Sequence, residues 1–541
     1  MEGLMMNRQL IIPLILDRAE RLFGHKEITS CLPGRSIHNY NYRSLAGRVK
    51  KLSRVLKYLG VKEGDRVATF CWNHYQHLEA YFAVTCMGAV LHTLNIRLGA
   101  EDLEYIVNHA ADKIIIVDQE LLPLFEKFSP CIKPEKVIVI RQSEKPVPAG
   151  YLVYEEALDL GADEGFNQFN GNENTAALLC YTSGTTGKPK GVLYSHRSVV
   201  LNAMSFLFSC TGIGIEESDV VLPVVPMFHA AAWGFPFCAA FSGAAQVLPG
   251  PYLDAPSLLT LMADHQVTIT GGVPTVFVNI LNYLADHPQQ YQLRLEKIIL
   301  GGSAVPQNLI RDYKEKHGIT VLNTWGMTEL SPLGSSAIIT SELKAKSEDD
   351  QFDFAKKQGH PIPLLEIRGR GENGLVPWDG KSLCELEVRG PCVASGYYMS
   401  EEPACNFTDD GWLKTGDIVV IHPNGYIDLK DRNKDIIKSG GEWISSILLE
   451  SLLMSHHSVE DAAVIAVPDD KWMERPHAFI VLKKGRSATA AELKEFLKDK
   501  VAKFSIPDRF TFIDSIPKTA VGKTRKYVLR QRNFEENSDN K

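Results

Sequence analysis

Eleven consecutive residues, Tyr181-Thr-Ser-Gly-Thr-Thr-Gly-Lys-Pro-Lys-Gly191, constrain this chain more than any other stretch. Gly184, Gly187 and Gly191 can reach backbone angles closed to other residues and let amide groups approach an anion, while the hydroxyls, Lys188 and Lys190 add donors and charge. The expected ligand is a polyphosphate. A Walker loop needs two glycines five positions apart, then Lys, then Ser or Thr at the start of a helix. Here Gly184 and Gly187 are three apart and Lys188 precedes Pro189. Because 176–181 and 192–194 both read as short strands, the loop is expected at the tip of a hairpin.

At 541 residues the chain is too long for one core, and ordinary domain sizes imply roughly two to four units. A net charge of −7 lacks the basic excess that a nucleic-acid partner calls for. The ten cysteines include no CxxC pair, which points away from zinc and fits a reducing cytoplasm. The apolar run 10–16 is interrupted by Pro13 and followed by Asp17, Arg18, Glu20 and Arg21, unlike a signal peptide. The longest apolar stretch, 220–250, holds several prolines and glycines and His229, so a buried strand-loop-helix is expected there and no transmembrane segment.

Helical segments such as 42–59 alternate with apolar strands such as 66–71 and 113–117 as far as about residue 174, which implies an α/β lobe. The loop hairpin is expected to open a second α/β lobe, with a helix capped by Ser195 and strands at 219–226, 244–248, 268–271 and 297–300. Short strands and turns over 382–429 read as a small β unit. The charged run 431–438, leading into Ser439-Gly440-Gly441, suits a hinge. Beyond it, helices at 447–454 and 490–501 and strands at 459–468 and 477–482 describe a compact α+β module, and the polar tail from Glu535 reads as disordered.

Downstream of the loop stand Pro226-Met-Phe-His229, Gly301-Gly-Ser-Ala304, Asn323-Thr-Trp-Gly-Met-Thr-Glu329, Trp412-Leu-Lys-Thr-Gly-Asp417, Asp431-Arg432 and Pro517-Lys-Thr-Ala-Val-Gly-Lys523. In that order they resemble the adenylate-forming (AMP-binding) superfamily over nearly the whole chain, and within it the bacterial medium- and long-chain fatty acyl-CoA synthetases. The resemblance implies a large α/β N-terminal adenylation domain over 1–430, made of two lobes and a small β unit. A hinge at 431–438 and a mobile α+β C-terminal domain over 439–541 complete it. The implied activity is an AMP-forming ligase using ATP, Mg²⁺ and coenzyme A on a fatty acid, in the cytoplasm and as a homodimer.

The same resemblance assigns roles. Thr182, Ser183, Gly184, Thr185, Thr186, Gly187 and Lys188 would cradle phosphates, with Thr185 also catalytic. Glu329, alone an ordinary solvated acid, becomes the Mg²⁺ ligand, with the Ser183 or Thr185 hydroxyl as second contact; a carboxylate plus substrate phosphates is the usual Mg²⁺ set. Gly302, Ser303 and Ala304 would line the adenine slot beside Asn323, Thr324, Trp325, Gly326 and Thr328, with the ring stacked on Trp325. Many relatives have Tyr there, so a bond made by a tyrosine hydroxyl is not carried over. Asp417 would bind the ribose hydroxyls with help from Arg432. His229, Ala230 and Trp233 would border the acyl site, His229 also as a catalytic residue and Trp233 as an aromatic gate.

Lys523 is the expected catalytic lysine, bringing a mobile positive charge to the reacting oxygens. Rotation about Asp431 would exchange it for Lys438, Gly440, Gly441, Glu442 and Trp443 at the coenzyme A channel, with Lys434 near the nucleotide. The competing readings are a ligase for a short, branched or aryl acid, a peptide-synthetase-like or luciferase-like acceptor step, and a nucleotide-regulated acyl-binding protein without turnover.

Overall fold

A computed structural model describes residues 1, 3–182, 188–400, 406–440, 442–469, 471–518 and 524–531. Two large sheets form the N-terminal body. One has seven strands, in spatial order Leu152–Val153, Lys136–Ile140, Ile114–Asp118, Arg66–Phe70, Val90–Thr93, Ala176–Tyr181 and Gly191–Ser195. All its pairs are parallel except the last, which is the expected loop hairpin. Ile114–Asp118 is buried at every position, as a parallel strand covered on both faces must be. The helix Tyr75–Cys86 is likewise buried all round, because it touches strands of both large sheets.

The second sheet has nine strands, with Ile269–Gly272, Lys297–Leu300 and Thr320–Gly326 leading toward the site. Two assignments differ from the sequence reading. The loop hairpin does not open the second lobe; Leu91 and His92 pair with Leu178 and Leu179, making it the edge of the first sheet. Conversely, the hairpin Glu27–Cys31 and Ile37–Asn41 leaves the first lobe to lie beside Ala245–Leu248 in the second sheet. Both errors have one physical source, since parallel pairing joins distant segments and leaves no local trace in the chain.

A five-stranded antiparallel sheet running from Glu366–Gly371 to Ile427–Arg432 forms the small β unit. The C-terminal module packs helices Ser446–Met454 and Ala490–Leu497 on a sheet built around Val459–Asp469 and Met473–Leu482. Several helix starts follow the local chemistry of the chain. Ser195 Oγ accepts from the Ser198 amide at 3.1 Å, and Thr489 and Glu492 form a reciprocal capping box. Among the described residues no helix is long and apolar enough to cross a membrane. The expected disordered tail from Glu535 lies outside the described residues.

Two buried histidines tie stability to pH. His77 Nδ1 donates to the Trp72 carbonyl and Nε2 accepts from the Thr69 hydroxyl, both at 2.9 Å, and burial together with His74 lowers its pKa to about 3. Burial also lowers His196, stacked on Phe169 at 4.6 Å, to about 4. The unfolded chain protonates both below 6.5 while the folded chain stays neutral, so stability is intact above that pH and falls as pH drops toward 4. At about pH 5 each histidine is expected to cost about 2 kcal/mol relative to neutral pH. His196→Phe should remove about one proton from the pH slope of urea-unfolding free energy between about pH 5 and 6; an unaltered slope contradicts the assignment.

Candidate functional site

A cavity of about 1560 Å³ lies between the N-terminal body and the C-terminal module. One side of it begins at the hairpin. The Thr182 amide donates to the Lys190 carbonyl at 2.9 Å, and the Lys190 amide returns to Thr182 Oγ1 at 3.2 Å, closing the loop stem. A Cβ at Gly191 would meet Leu179, Tyr181 and Tyr398 at 3.2 Å, so this glycine permits close packing below the loop. Lys188 Nζ lies 4.7 Å from the Tyr105 ring centre and Lys190 Nζ 5.2 Å from that of Tyr397. Ser183, Gly184, Thr185, Thr186 and Gly187 lie outside the described residues.

Glu329 sits in the short helical turn Thr328–Leu330 and is buried against the cavity wall. The Tyr397 hydroxyl donates to its Oε1 at 2.8 Å, and Asn406 Nδ2 donates to that hydroxyl at 3.2 Å. The Tyr194 hydroxyl holds the Thr328 carbonyl at 2.6 Å. These tyrosines orient the carboxylate, and sequence reasoning missed both. The only trace of Tyr397 in the chain is a tyrosine pair after Gly396. One oriented carboxylate on the cavity wall fits Mg²⁺, which takes few protein oxygens and shares the rest with substrate phosphates.

Asp417, the expected ribose ligand, is fully buried and does not itself line the cavity, whereas its neighbours Thr415 and Gly416 and its partner Arg432 do. The Trp325 indole N–H donates to its Oδ2 at 2.9 Å. Arg432 Nε is 2.9 Å from Oδ1, an ion pair without hydrogen-bond alignment, so that buried oxygen retains acceptor capacity. This suits an incoming hydroxyl. Gly416 takes φ +71° at a register shift within the strand Leu413–Ile421, just before Asp417. Thus Trp325 does more than offer a stacking face: its N–H fixes the acid beside it. The indole lies so close over Gly334 that a Cβ there would stand 2.5 Å from it.

Gly302, Ser303, Ala304, Thr324, Gly326 and Thr328 all line the cavity. Gly301 has no room for a side chain, since a Cβ would come 2.8 Å from Thr324 Oγ1 and 3.3 Å from the Trp233 ring. Asn323 does not line the cavity, and its amide donates to the carbonyls of Lys356 and Lys357 at 2.7 and 2.9 Å.

His229, Ala230 and Trp233 line the opposite wall. The segment before them is held by Asn73, whose side chain bonds the Pro223 and Val225 carbonyls at 3.2 and 2.9 Å and the Met227 amide at 2.7 Å. Ala230, Ala231, Ala232 and Trp233 then take φ of +37°, +44°, +54° and +54°, followed by Gly234 at +87°. Four L-residues wound left-handed cost roughly 1–2 kcal/mol each. The turn sets the Trp233 ring across Gly301 and Gly302.

Asp431 and Arg432, where a hinge is expected, are the last residues of the strand Ile427–Arg432. Asp431 Oδ2 accepts from the amide and hydroxyl of Ser446, both at 2.5 Å. Lys434 lines the cavity, and burial lowers its pKa despite Asp435. Thr524, Arg525 and Lys526 also line it, whereas Lys438, Gly440, Glu442 and Trp443 do not. The module therefore presents the segment that follows Lys523, and Lys438 rests against Trp443 at 5.7 Å. Lys523 and Gly441 lie outside the described residues. Lys526 is bound within the module, donating to Ser446 Oγ at 2.5 Å and pairing with Glu450 at 2.7 Å. Burial pulls its pKa down, but Glu450, Asp431 and Asp435 outweigh that and hold it above the ordinary lysine value.

Residues 17–398 match the family described as AMP-binding enzyme, and residues 448–523 match the AMP-binding enzyme C-terminal domain. The chain is 45% identical to the long-chain-fatty-acid–CoA ligase of Thermus thermophilus over 97% of its own length and 96% of that protein. It is 40% identical to the 3-methylmercaptopropionyl-CoA ligase of Ruegeria lacuscaerulensis, covering 98% of each. Identity to the medium-chain-fatty-acid–CoA ligase of Ectopseudomonas oleovorans is 39%, over 98% of this chain and 97% of that one. Among solved structures, the anthranilate CoA ligase AuaEII in complex with anthranoyl-AMP superposes with a TM-score of 0.86 at 26% identity, covering 98% of both chains. ATP-bound MatB from Rhodopseudomonas palustris gives 0.81 at 26% identity, over 97% of this chain and 99% of that one. The chain therefore belongs to the AMP-binding enzymes, the adenylate-forming family, and its full-length kinship is with their CoA ligases.

Proposed function

We propose that this CoA ligase activates a medium- or long-chain fatty acid. The observation that carries the reading is the apolar wall of Phe206, Val224, Val273, Ile299 and Trp233 facing the same cavity as Glu329 and Arg432. Kinship with fatty acid ligases supports it.

In the first half-reaction a carboxylate oxygen of the acid attacks the α-phosphorus of ATP and the bond to pyrophosphate breaks, leaving an acyl-adenylate. The loop residues 182–188 orient the departing phosphates, Asp417 and Arg432 hold the ribose, and Lys523 neutralises charge as it shifts between oxygens. Mg²⁺ held by Glu329, with Ser183 or Thr185, would supply further charge neutralisation when bound. The acceleration comes from positioning and electrostatics. In the second half-reaction the thiolate of coenzyme A attacks the acyl carbonyl and AMP leaves. Rotation of the module about Asp431 brings Lys438, Gly440, Gly441, Glu442 and Trp443 toward the channel for that step.

A second reading, a short acid such as the one handled by the Ruegeria relative, is favoured by one observation. The Trp233 ring lies across Gly301 and Gly302 and shortens the available space. Pyrophosphate release measured with straight-chain acids of about four to sixteen carbons, 3-methylthiopropionate and benzoate separates the two. The proposal expects kcat/KM to rise about tenfold or more from the shortest acid to the optimum, and a maximum at the short or aryl acids overturns it. A homodimer in a reducing cytoplasm accompanies the proposal, and light scattering of the purified chain tests the dimer.

A further inference from the structure

Beneath the left-handed turn Ala230–Gly234 lies a buried amide with an incomplete set of partners. Asn202, on the helix His196–Leu207, is 2% exposed. Its Nδ2 is 3.5 Å from the Trp233 carbonyl, at the outer limit of a hydrogen bond, and its Oδ1 has no donor. The packing around it is nevertheless tight. A Cβ at Gly234 would stand 2.4 Å from Nδ2, so only glycine fits above the amide. A buried polar group in van der Waals contact with a turn, yet bonded to it by one long contact, is poorly served by this arrangement.

The turn is poorly served too. Four of its residues are L-amino acids in the left-handed region, a conformation that persists only where the surroundings hold it. One motion relieves both deficits. Rewinding the turn to ordinary angles redirects its amide groups, which can then donate to Asn202 Oδ1. The same change of φ swings the Cα–Cβ bond of Trp233 and lifts the ring off Gly301 and Gly302.

We infer that Asn202 is a positioning residue that sets the balance of a two-state turn, favouring the state in which Trp233 leaves the cavity wall and the acyl site lengthens. The inference rests on the proposed reading that Trp233 borders the acyl chain. Asn202 lies behind the turn and does not line the cavity, so it acts through Trp233 and touches no substrate.

Asn202→Leu keeps the branched shape and removes both hydrogen-bonding options. The state with the ring across the glycines loses one weak bond, whereas the rewound state loses its better ones. Acid-dependent ATP–pyrophosphate exchange is measured with a four-carbon and a twelve-carbon acid in the parent, Asn202→Leu, Trp233→Ala and the double variant. Asn202→Leu is expected to lower the long-to-short ratio of kcat/KM about tenfold while leaving kcat on the short acid within about threefold. On the Trp233→Ala background that effect should vanish. Gly234→Ala, whose Cβ collides with the amide and whose backbone angle disfavours the turn as seen, should raise the ratio.

Equal losses on both acids, or the same fall without Trp233, assign Asn202 a purely structural role and overturn the inference. Should Asn202→Leu not fold, an unchanged or lowered ratio in Gly234→Ala overturns it instead. A Trp233→Ala variant with the parental ratio removes the gate reading as well. A shift in Trp233→Ala without one in Asn202→Leu removes only the role of Asn202.

Discussion

Lys523→Ala is expected to lower acid-dependent exchange of pyrophosphate into ATP by about 10³-fold, while thioester formation from preformed acyl-adenylate and coenzyme A falls by less than about tenfold. The ends of the segment that carries Lys523 are well placed for this. Lys518 pairs with Thr524, the Arg525 amide donates to the Pro517 carbonyl at 2.7 Å, and Thr524 and Arg525 line the cavity. The nearby Lys526 is no substitute, because Ser446 and Glu450 engage its ammonium inside the module. Comparable losses in both partial reactions would mean that Lys523 serves folding or both steps, and the split assignment would fail.

Asp417→Ala is expected to raise KM for ATP about 100-fold, since two hydroxyl bonds to a charged acceptor contribute about 1.5 kcal/mol or more each. It should also lower unfolding free energy by about 1–3 kcal/mol, because the buried Trp325 N–H loses its acceptor. Arg432 adds little to that loss, being partly exposed and free to turn to water. Asp417→Asn separates the two effects. Its amide oxygen still accepts from Trp325, so stability should return to within about 1 kcal/mol of the parent, while KM for ATP stays about tenfold high for want of the charge. Steady-state kinetics over ATP concentration and urea unfolding read the two arms; a parental KM in both variants removes Asp417 from the nucleotide site.

Legibility in the sequence followed the range of the forces involved. The hairpin under the phosphate loop, the Ser195 cap and the strand at Lys297–Leu300 were readable because turn residues, cap oxygens and apolar runs act within a few positions. The order of motifs carried the family, which periodicity alone could not. Sheet membership was hidden, as the exchange of the Glu27–Asn41 and Ala176–Ser195 hairpins between sheets shows. So were the groups that act on the site from behind: Tyr397 on Glu329, Asn73 under Met227, and Trp325 as a donor to Asp417 across 92 positions. The orientation of Asn323 was hidden for the same reason, its motif neighbours Thr324 and Trp325 lining the cavity while its own amide faces the chain at 356–357.

The strand Ile427–Arg432 ends on two adjacent residues that grip different bodies. Arg432 meets Asp417, the proposed ribose ligand, and Asp431 meets the first helical residue of the C-terminal module. Successive strand residues face opposite ways, so one peptide unit serves as both bearing and anchor. In the proposed reaction the ribose stays seated from ATP through acyl-adenylate to AMP, and only pyrophosphate departs between the two steps. The bearing is therefore loaded throughout the cycle, and the module turns against a strand end that its own nucleotide holds still.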